Sequence, residues 1–240
     1  MKDFAVARRR MVREQLQAAG LDDSRVLKAM AEVPRHLFVP RALHHRAHQP
    51  SALPIGFGQT ISKPFTVGLM TSLLELQGHE HVLEVGTGSG YQGAILARLA
   101  GDVVSVERIA PLADRARTTL EELGYDNIRV HAHDGTCGLA DDAPFDAIMV
   151  TACAPHLPPH LVSQLSDGGY LLIPVNKGRE QILYRYQRQG VEVIIEQSVS
   201  CRFVPLLDGV STESIDDIGP AVAAGSDESA GECSEGEQLA

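Results

Sequence analysis

The chain lacks tryptophan, and only 5% of its 240 residues are aromatic. Apolar residues nevertheless make up 44% of it, which is enough for a packed core. No apolar run is long enough to span a bilayer, and Arg8 to Arg10 lie where a secretory signal would need an apolar core. The composition therefore predicts a cytoplasmic protein with one sizeable domain plus appendages.

Cysteine is also scarce, and no two cysteines have C-x-x-C spacing. The four are Cys137, Cys153, Cys201 and Cys233. Reduced thiols are the simplest interpretation. His44, His45 and His48 could suggest a metal site through the i, i+4 pair His44 and His48, but no acid or cysteine lies nearby in the sequence. We therefore expect solvated histidines and no metal site.

Basic residues are absent after Arg202, whereas nine acidic residues lie at or after Asp208. The formal net charge of −10 therefore describes the C-terminus, because 22 acidic and 21 basic residues precede position 208. A nearly neutral body predicts no nucleic-acid partner. Residues 210–240 contain almost no large apolar side chains, so this acidic tail is predicted to be disordered.

Three glycines alternate with other residues in one motif, Glu84-Val85-Gly86-Thr87-Gly88-Ser89-Gly90-Tyr91. An apolar run over 81–85 precedes the motif and a helical pattern over 91–99 follows it. This order is typical of the nucleotide-binding turn of an open α/β sheet. Without Cβ atoms, the three glycines allow a tight turn and a close approach to a ligand. A tight strand-to-helix connection without a ligand is the alternative.

Acidic residues follow the next two apolar runs of the chain. Val103 to Val106 ends in Glu107, and the run over 128–132 ends near Asp134-Gly135. These acids suit the hydroxyls of a ribose and the amino group of an adenine, but not a phosphate. The chain also has no G-x-x-x-x-G-K-[ST] loop. The pattern favours S-adenosylmethionine over a phosphorylated nucleotide.

The order of elements predicts an α/β fold of the Rossmann-like class I S-adenosylmethionine-dependent methyltransferase type. Strands are predicted near 81–85, 103–107, 128–132, 146–151 and 170–175, and helices near 91–100, 110–124 and 158–166. Two alternating segments, 181–187 and 191–199, predict an antiparallel hairpin at the C-terminal edge of a mostly parallel sheet. The predicted divisions are an N-terminal helical region with a substrate loop (1–78), the methyltransferase core (79–209) and the tail (210–240).

The N-terminal region contains three further helical patterns. Residues 3–18 are amphipathic and end at Gly20, and Asp22-Asp23-Ser24 precede a helix that must end before Pro34. Pro64 suits the first turn of a third helix. Thr60 and Ser62 lie just before Pro64, so they are either functional hydroxyls or part of an ordinary helix N-cap. The residues alone favour neither alternative.

The chain resembles the protein-L-isoaspartate O-methyltransferase family. The specific match is Gly58-Gln59-Thr60-Ile61-Ser62-x-Pro64, and Leu83 to Gln92 match as well. Further matches are Val106-Glu107-Arg108, Leu123 to Asn127, Pro144 to Ile148, Ala154-Pro155 and Arg202 to Leu206. The resemblance covers about residues 5–207. Lys63 departs from the commoner Gln and Phe65 from Tyr, and Lys63 could alter substrate preference.

The resemblance implies a role for each matched site residue. Ser62 would be the active-site serine, within the substrate-binding residues Gln59, Thr60, Ile61 and Ser62. The cofactor-binding residues would be Glu84, Gly86, Thr87, Gly88, Ser89, Gly90, Tyr91, Glu107, Asp134 and Gly135. Among these, the three glycines would pass the methionine part of S-adenosylmethionine, Glu107 would bind the ribose, and Asp134 with Gly135 would border the adenine.

The implied function is that of a cytoplasmic, monomeric repair enzyme acting on isoaspartyl-containing peptides and proteins. It would methylate the free α-carboxylate of L-isoaspartyl residues. A carboxylate is ionised at pH 7 and needs no general base, so Ser62 would orient the substrate and not attack it. One rival is a methyltransferase of the same fold acting on a small molecule or RNA. Another is a non-catalytic cofactor-binding module whose acidic tail holds a partner.

Overall fold

A seven-stranded sheet is the centre of the structure, a computed structural model that describes residues 4–212. Its strand order is β5-β4-β3-β6-β7-β8-β9. The strands are β3 (His81–Val85), β4 (Asp102–Glu107), β5 (Ile128–Ala132), β6 (Phe145–Val150), β7 (Leu165–Lys177), β8 (Glu180–Gln189) and β9 (Glu192–Cys201). The first five strands in this order run parallel to one another. Strand β8 pairs antiparallel with β7, and β9 pairs antiparallel with β8. The predicted sheet is confirmed.

Alternate residues of the central strands pack into two cores on opposite faces of the sheet. Val82 belongs to the first core, and its neighbour Leu83 belongs to the second. Helices α4 (Tyr91–Leu96) and α5 (Ala110–Glu122) contribute to the first core, and α6 (Pro159–Ser163) contributes to the second. Burial on both faces explains the continuous apolar runs of these strands.

The N-terminal helices join the first core. They are α1 (Phe4–Met11), α2 (Ser24–Glu32) and α3 (Pro64–Ser72). The predicted helix over 3–18 continues after α1 as a π-helical segment and a short 3₁₀ turn, and it ends at Gly20 with φ of 89°. Asp23 caps α2 by accepting hydrogen bonds from the amides of Arg25 and Val26. Pro64 starts α3, as predicted.

The structure corrects the prediction of solvated histidines for His44 and His48, whereas His45 is exposed as predicted. His44 and His48 are half-buried, and both lie against the ring of Phe4 together with His36. The ring centroids of Phe4 and His36 are 4.2 Å apart. These histidines pack as aromatic rings because α1 folds over them, a tertiary contact that local composition does not contain. Within residues 4–212, no three His, Cys, Asp or Glu side chains are grouped so as to hold a metal ion.

A short hairpin precedes α3 and was not predicted. Its strands, β1 (Leu53–Gly56) and β2 (Gln59–Ile61), are antiparallel and form a separate two-stranded sheet. Phe57 and Gly58 turn the chain with φ of 55° and 68°. The hairpin fixes the path of the predicted substrate loop, residues 59–62. In the part of the chain described, no helix combines the length and apolar character that crossing a membrane requires.

Candidate active site

Two contiguous cavities lie at the carboxyl ends of the parallel strands, beside β3 and β6. The chain order reverses between these two strands, which is where open α/β sheets bind ligands. The space within the two cavities, including the part open to solvent, is about 640 Å³ and about 440 Å³. Thr60, Gly86, Gly88 and Thr151 line both. We call the larger the first cavity and the smaller the second cavity.

The glycine loop, residues 86–90, forms the wall between the sheet and both cavities. Gly86, Gly88 and Gly90 have φ of 97°, 53° and 85°, a region that favours glycine. A Cβ atom at Gly86 would overlap the hydroxyl of Thr151. That hydroxyl donates a hydrogen bond of 2.7 Å to the carbonyl of Gly86. The loop is therefore held against β6 by a contact that only glycine permits.

Glu107 ends β4, and its carboxylate faces the first cavity. It accepts hydrogen bonds from the amides of Gly88, at 2.8 Å, and Ile109, at 3.0 Å. Burial raises the pKa of Glu107, although these two hydrogen bonds oppose the shift. A carboxylate fixed in this way has lone pairs left for a pair of ligand hydroxyls, such as those of a ribose.

Glu84 lies in β3 and is fully buried, away from both cavities. The Ser105 hydroxyl donates to its Oε2 at 2.5 Å, and the hydroxyls of Ser105 and Thr87 are also 2.5 Å apart. Burial raises the pKa of Glu84 to about 8. Glu84 therefore supports the glycine loop through Ser105 and Thr87, from inside the sheet.

Asp134 and Gly135 follow β5, and only Gly135 lines the first cavity. One oxygen of Asp134 accepts hydrogen bonds from Thr136, and the other accepts one of 2.7 Å from the amide of Gly209. Burial alone would raise the pKa of Asp134, but these hydrogen bonds outweigh it and lower the pKa. Asp134 thus fastens the C-terminal part of the described chain beside the first cavity.

The C-terminal segment, residues 204–211, closes the first cavity on one side. Residues 204–207 line it. The segment is held at two places by backbone hydrogen bonds. Cys153 bonds with Val204 and Leu206, at 2.7 Å and 2.8 Å, and Ser211 bonds with Arg108 and Ala110, at 2.7 Å and 2.9 Å. Residues 213–240, with most of the predicted tail, lie outside the described residues.

The substrate loop lines the second cavity, where Thr60 and Ser62 face the glycine loop. The N-terminus of α3 has no side-chain cap. Ser62 therefore does not cap α3, which was one of the two alternatives for this residue in the sequence analysis. In the described part of the chain neither hydroxyl takes part in an intramolecular hydrogen bond. Both remain available to a ligand that enters this cavity.

The structure brings together most of the predicted site residues. Those that line a cavity are Gln59, Thr60, Ile61, Ser62, Gly86, Thr87, Gly88, Ser89, Tyr91, Glu107 and Gly135. Glu84, Gly90 and Asp134 do not line either cavity. Thr151, Gln92 and residues 204–207 also line the cavities and were not predicted from the sequence. Thr151 follows β6 directly, so the rule that ligands bind at carboxyl strand ends could have indicated it.

The fold and the site define a Rossmann-like class I methyltransferase. The protein-L-isoaspartate(D-aspartate) O-methyltransferase family model matches residues 7–211, and the chain belongs to that family.

Individual relatives with the same name support this family assignment. The chain is 53% identical over 208 residues to protein-L-isoaspartate O-methyltransferase 2 of Geotalea uraniireducens, covering 86% of this chain and 96% of the relative. It is 58% identical over 194 residues to protein-L-isoaspartate O-methyltransferase 1 of Syntrophobacter fumaroxidans, covering 80% and 91%. The same fold occurs in a putative protein-L-isoaspartate O-methyltransferase of Plasmodium falciparum, solved with S-adenosyl-L-homocysteine. It is 23% identical with a TM-score of 0.74, covering 83% of this chain and 98% of that one.

Proposed function

We propose that Ser62 and Thr60 present the substrate carboxylate, and that the glycine loop and Glu107 hold the methyl donor beside it. The protein transfers a methyl group from S-adenosylmethionine to the free α-carboxylate of L-isoaspartyl residues in damaged peptides and proteins. This esterification is the first step of their repair. The observation that carries the residue assignment is the second cavity, which joins two unbonded hydroxyls to the glycine loop.

The first cavity fits the adenosine part of S-adenosylmethionine. Its wall includes a fixed carboxylate at Glu107, and its floor at Gly86 and Gly135 leaves no room for a Cβ atom. The methionine part would pass the glycine loop toward the second cavity. Glu84 and Gly90 would act indirectly, by supporting that loop, and Asp134 by holding the C-terminal segment at the adenine end.

The reaction needs positioning more than proton transfer. The sulfonium of S-adenosylmethionine supplies an electrophilic methyl group, so an O–C bond forms as the S–C bond breaks and its electron pair stays on sulfur. Two short hydroxyl donors can align the attacking carboxylate without holding it too strongly. Alignment of bound reactants alone contributes up to roughly 7–11 kcal/mol. No residue is required to take up a proton.

We also propose that the enzyme works as a monomer in the cytoplasm, with isoaspartyl peptides and proteins as its partners and no nucleic acid. The free thiols Cys137, Cys153 and Cys201 suit a reducing compartment. The nearly neutral body supports the exclusion of nucleic acid.

Labelling of a matched peptide pair tests the proposal. One peptide contains L-isoaspartate, and the other has the same sequence with L-aspartate. We expect transfer of labelled methyl groups from S-adenosylmethionine to the first peptide only, because the isoaspartyl linkage leaves its α-carboxylate free on a short arm. Equal labelling of both peptides would contradict the assignment, and no labelling would favour a non-catalytic binding module.

A further inference from the structure

Arg35 has no solvent-exposed surface, although arginine is rarely fully buried. It begins a short 3₁₀ turn, Arg35–Phe38, after α2. Its Nε donates to the carbonyl of Ala47 at 2.8 Å, and its Nη2 donates to the carbonyl of Ser62 at 2.6 Å. Arg35 therefore ties the backbone of the substrate loop to the histidine-rich segment.

The guanidinium also lies behind the wall of the second cavity. Its Cζ is 4.7 Å from the ring centroid of Tyr91, and both Tyr91 and Ser62 line that cavity. Arg35 Nη1 and the Tyr91 hydroxyl are buried and make no hydrogen bond of standard geometry. One side of the cation is thus bonded to the substrate loop, and another side lies against Tyr91, whose hydroxyl and ring interact with it.

No carboxylate neutralises this cation. None of the ion pairs among residues 4–212 includes Arg35. Arginine stays protonated in proteins, so the positive charge persists despite burial. An unpaired buried cation is strongly unfavourable for folding, and packing alone could be provided by an apolar side chain. The charge therefore calls for a functional reason.

The second cavity supplies a functional reason for this buried charge. Its lining among the described residues contains no lysine, arginine or histidine, although the proposed substrate group is an anion. We infer that Arg35 is a positioning residue that holds the Ser62 backbone and supplies, from behind the cavity wall, the positive charge that the substrate carboxylate requires. This inference rests on the proposed function, because it takes the isoaspartyl α-carboxylate as that anion.

The placement of Arg35 predicts an effect on binding more than on the chemical step. The carboxylate loses its negative charge as it is methylated, so a fixed cation stabilises the bound reactant more than the transition state. Direct contact would therefore reduce the reactivity of the carboxylate. A cation one layer behind Ser62 and Tyr91 attracts the substrate and leaves its attacking oxygen to weaker donors.

The first test compares Arg35→Met with Arg25→Met in the full chain. Arg25 also donates to two carbonyls, those of Leu76 and Leu99, but it lies outside both cavities. For Arg35→Met we expect the peptide KM to rise about tenfold or more, with kcat changed less than about threefold. The Kd for S-adenosylhomocysteine, whose sulfur is neutral, should stay within about twofold. Arg25→Met should leave all three constants near wild type.

Arg35→Lys gives a readout that a purely structural role would not move. A buried lysine has a lowered pKa, so its charge is lost as pH rises. Between about pH 6 and 9 the peptide KM of this variant should increase more steeply than that of wild type, in which Glu84 behind the glycine loop, with a pKa of about 8, also titrates. The ionisable groups nearest Arg35 are His36, His48, Tyr91 and Arg8, with His44 packed against His36. Burial lowers the pKa of His36, brings that of His48 to about 4, and raises the pKa of Tyr91, so these shifts move all three groups away from the range of the test.

Three results would overturn the inference. They are a KM for Arg35→Met within about twofold of wild type, an equal weakening of peptide and S-adenosylhomocysteine binding, and a KM profile for Arg35→Lys that is no steeper than that of wild type. If Arg35→Met does not fold, the Arg35→Lys profile decides alone. Failure of the proposed function is recognised separately, since wild type would then not label the isoaspartyl peptide, and both proposals would fall together.

Discussion

Among single residues, Ser62 gives the clearest prediction. Its hydroxyl has no intramolecular role in the described chain, so Ser62→Ala should leave folding and S-adenosylhomocysteine affinity unchanged. One hydrogen bond to a charged group contributes about 1.5–3 kcal/mol. We therefore expect kcat/KM for an isoaspartyl peptide to fall roughly ten- to a hundredfold. Ser72→Ala, in the last turn of the same helix α3, is the control. Unchanged turnover in Ser62→Ala would refute the positioning role.

Substitution of Glu107 should weaken binding of the cofactor and leave binding of the peptide unchanged. Glu107→Ala removes the acceptor of the Gly88 amide as well as the proposed ribose contacts. The Kd for S-adenosylhomocysteine, measured by calorimetry, should rise roughly ten- to a hundredfold, at about 1.5–3 kcal/mol per charged hydrogen bond. Glu107→Gln keeps one acceptor oxygen and should lie between wild type and alanine. A wild-type Kd in Glu107→Ala would remove this residue from the site.

At the scale of elements, the glycine loop depends on two separable properties of Gly86. Gly86 and Gly124 both have positive φ, but only a Cβ at Gly86 would meet another group within 4 Å. Gly124→Ala should therefore cost only the backbone strain, about 1 kcal/mol of unfolding free energy. Gly86→Ala should lose more stability and also weaken S-adenosylhomocysteine binding. Denaturant unfolding and calorimetry of the two variants measure both effects, and equal effects would contradict the close packing against Thr151.

The central strands and the glycine turn could be predicted because their apolar runs and turn residues are local signals. The place of Glu107 in the site could also be predicted, because the carboxyl end of β4 lies beside the carboxyl end of β3. The hairpin of β1 and β2 could not be predicted, because strands of four and three residues are too short to show a periodic pattern. Whether Ser62 caps α3 depends on side-chain geometry. The buried position of Arg35 depends on three segments that are distant in sequence.

The C-terminal segment gives a prediction for the whole molecule. Residues 204–207 line the first cavity, and Gly209 and Ser211 bond to Asp134, Arg108 and Ala110. Truncation after Thr212 should therefore leave the Tm and cofactor affinity nearly unchanged. Truncation after Cys201 should weaken S-adenosylhomocysteine binding strongly. A large loss of Tm in the longer variant would mean that residues beyond 212 dock on the body, contrary to the predicted division.

The acid stability of the whole molecule should depend on His48. Burial lowers its pKa to about 4, with His36, Arg35 and Arg8 adding repulsion. The unfolded chain, with a histidine pKa near 6.5, binds more protons between these values, so stability falls as pH drops from about 6.5 to 4. Glu84 acts oppositely, because its raised pKa makes stability fall as pH rises from about 4.5 to 8. Urea unfolding should show a shallower acid slope in His48→Gln, and an unchanged slope would contradict the role of His48.

The closure of the first cavity by residues 204–207 also has a consequence during synthesis. A ribosome releases the chain from its N-terminus, so the glycine loop and Glu107 emerge long before the last wall of the cavity. A nascent chain therefore has no complete binding site while most of its sheet is already outside the exit tunnel. S-adenosylmethionine can stabilise the fold to its full extent only after translation has passed residue 207. The early stages of folding must consequently proceed on the cores of the sheet alone.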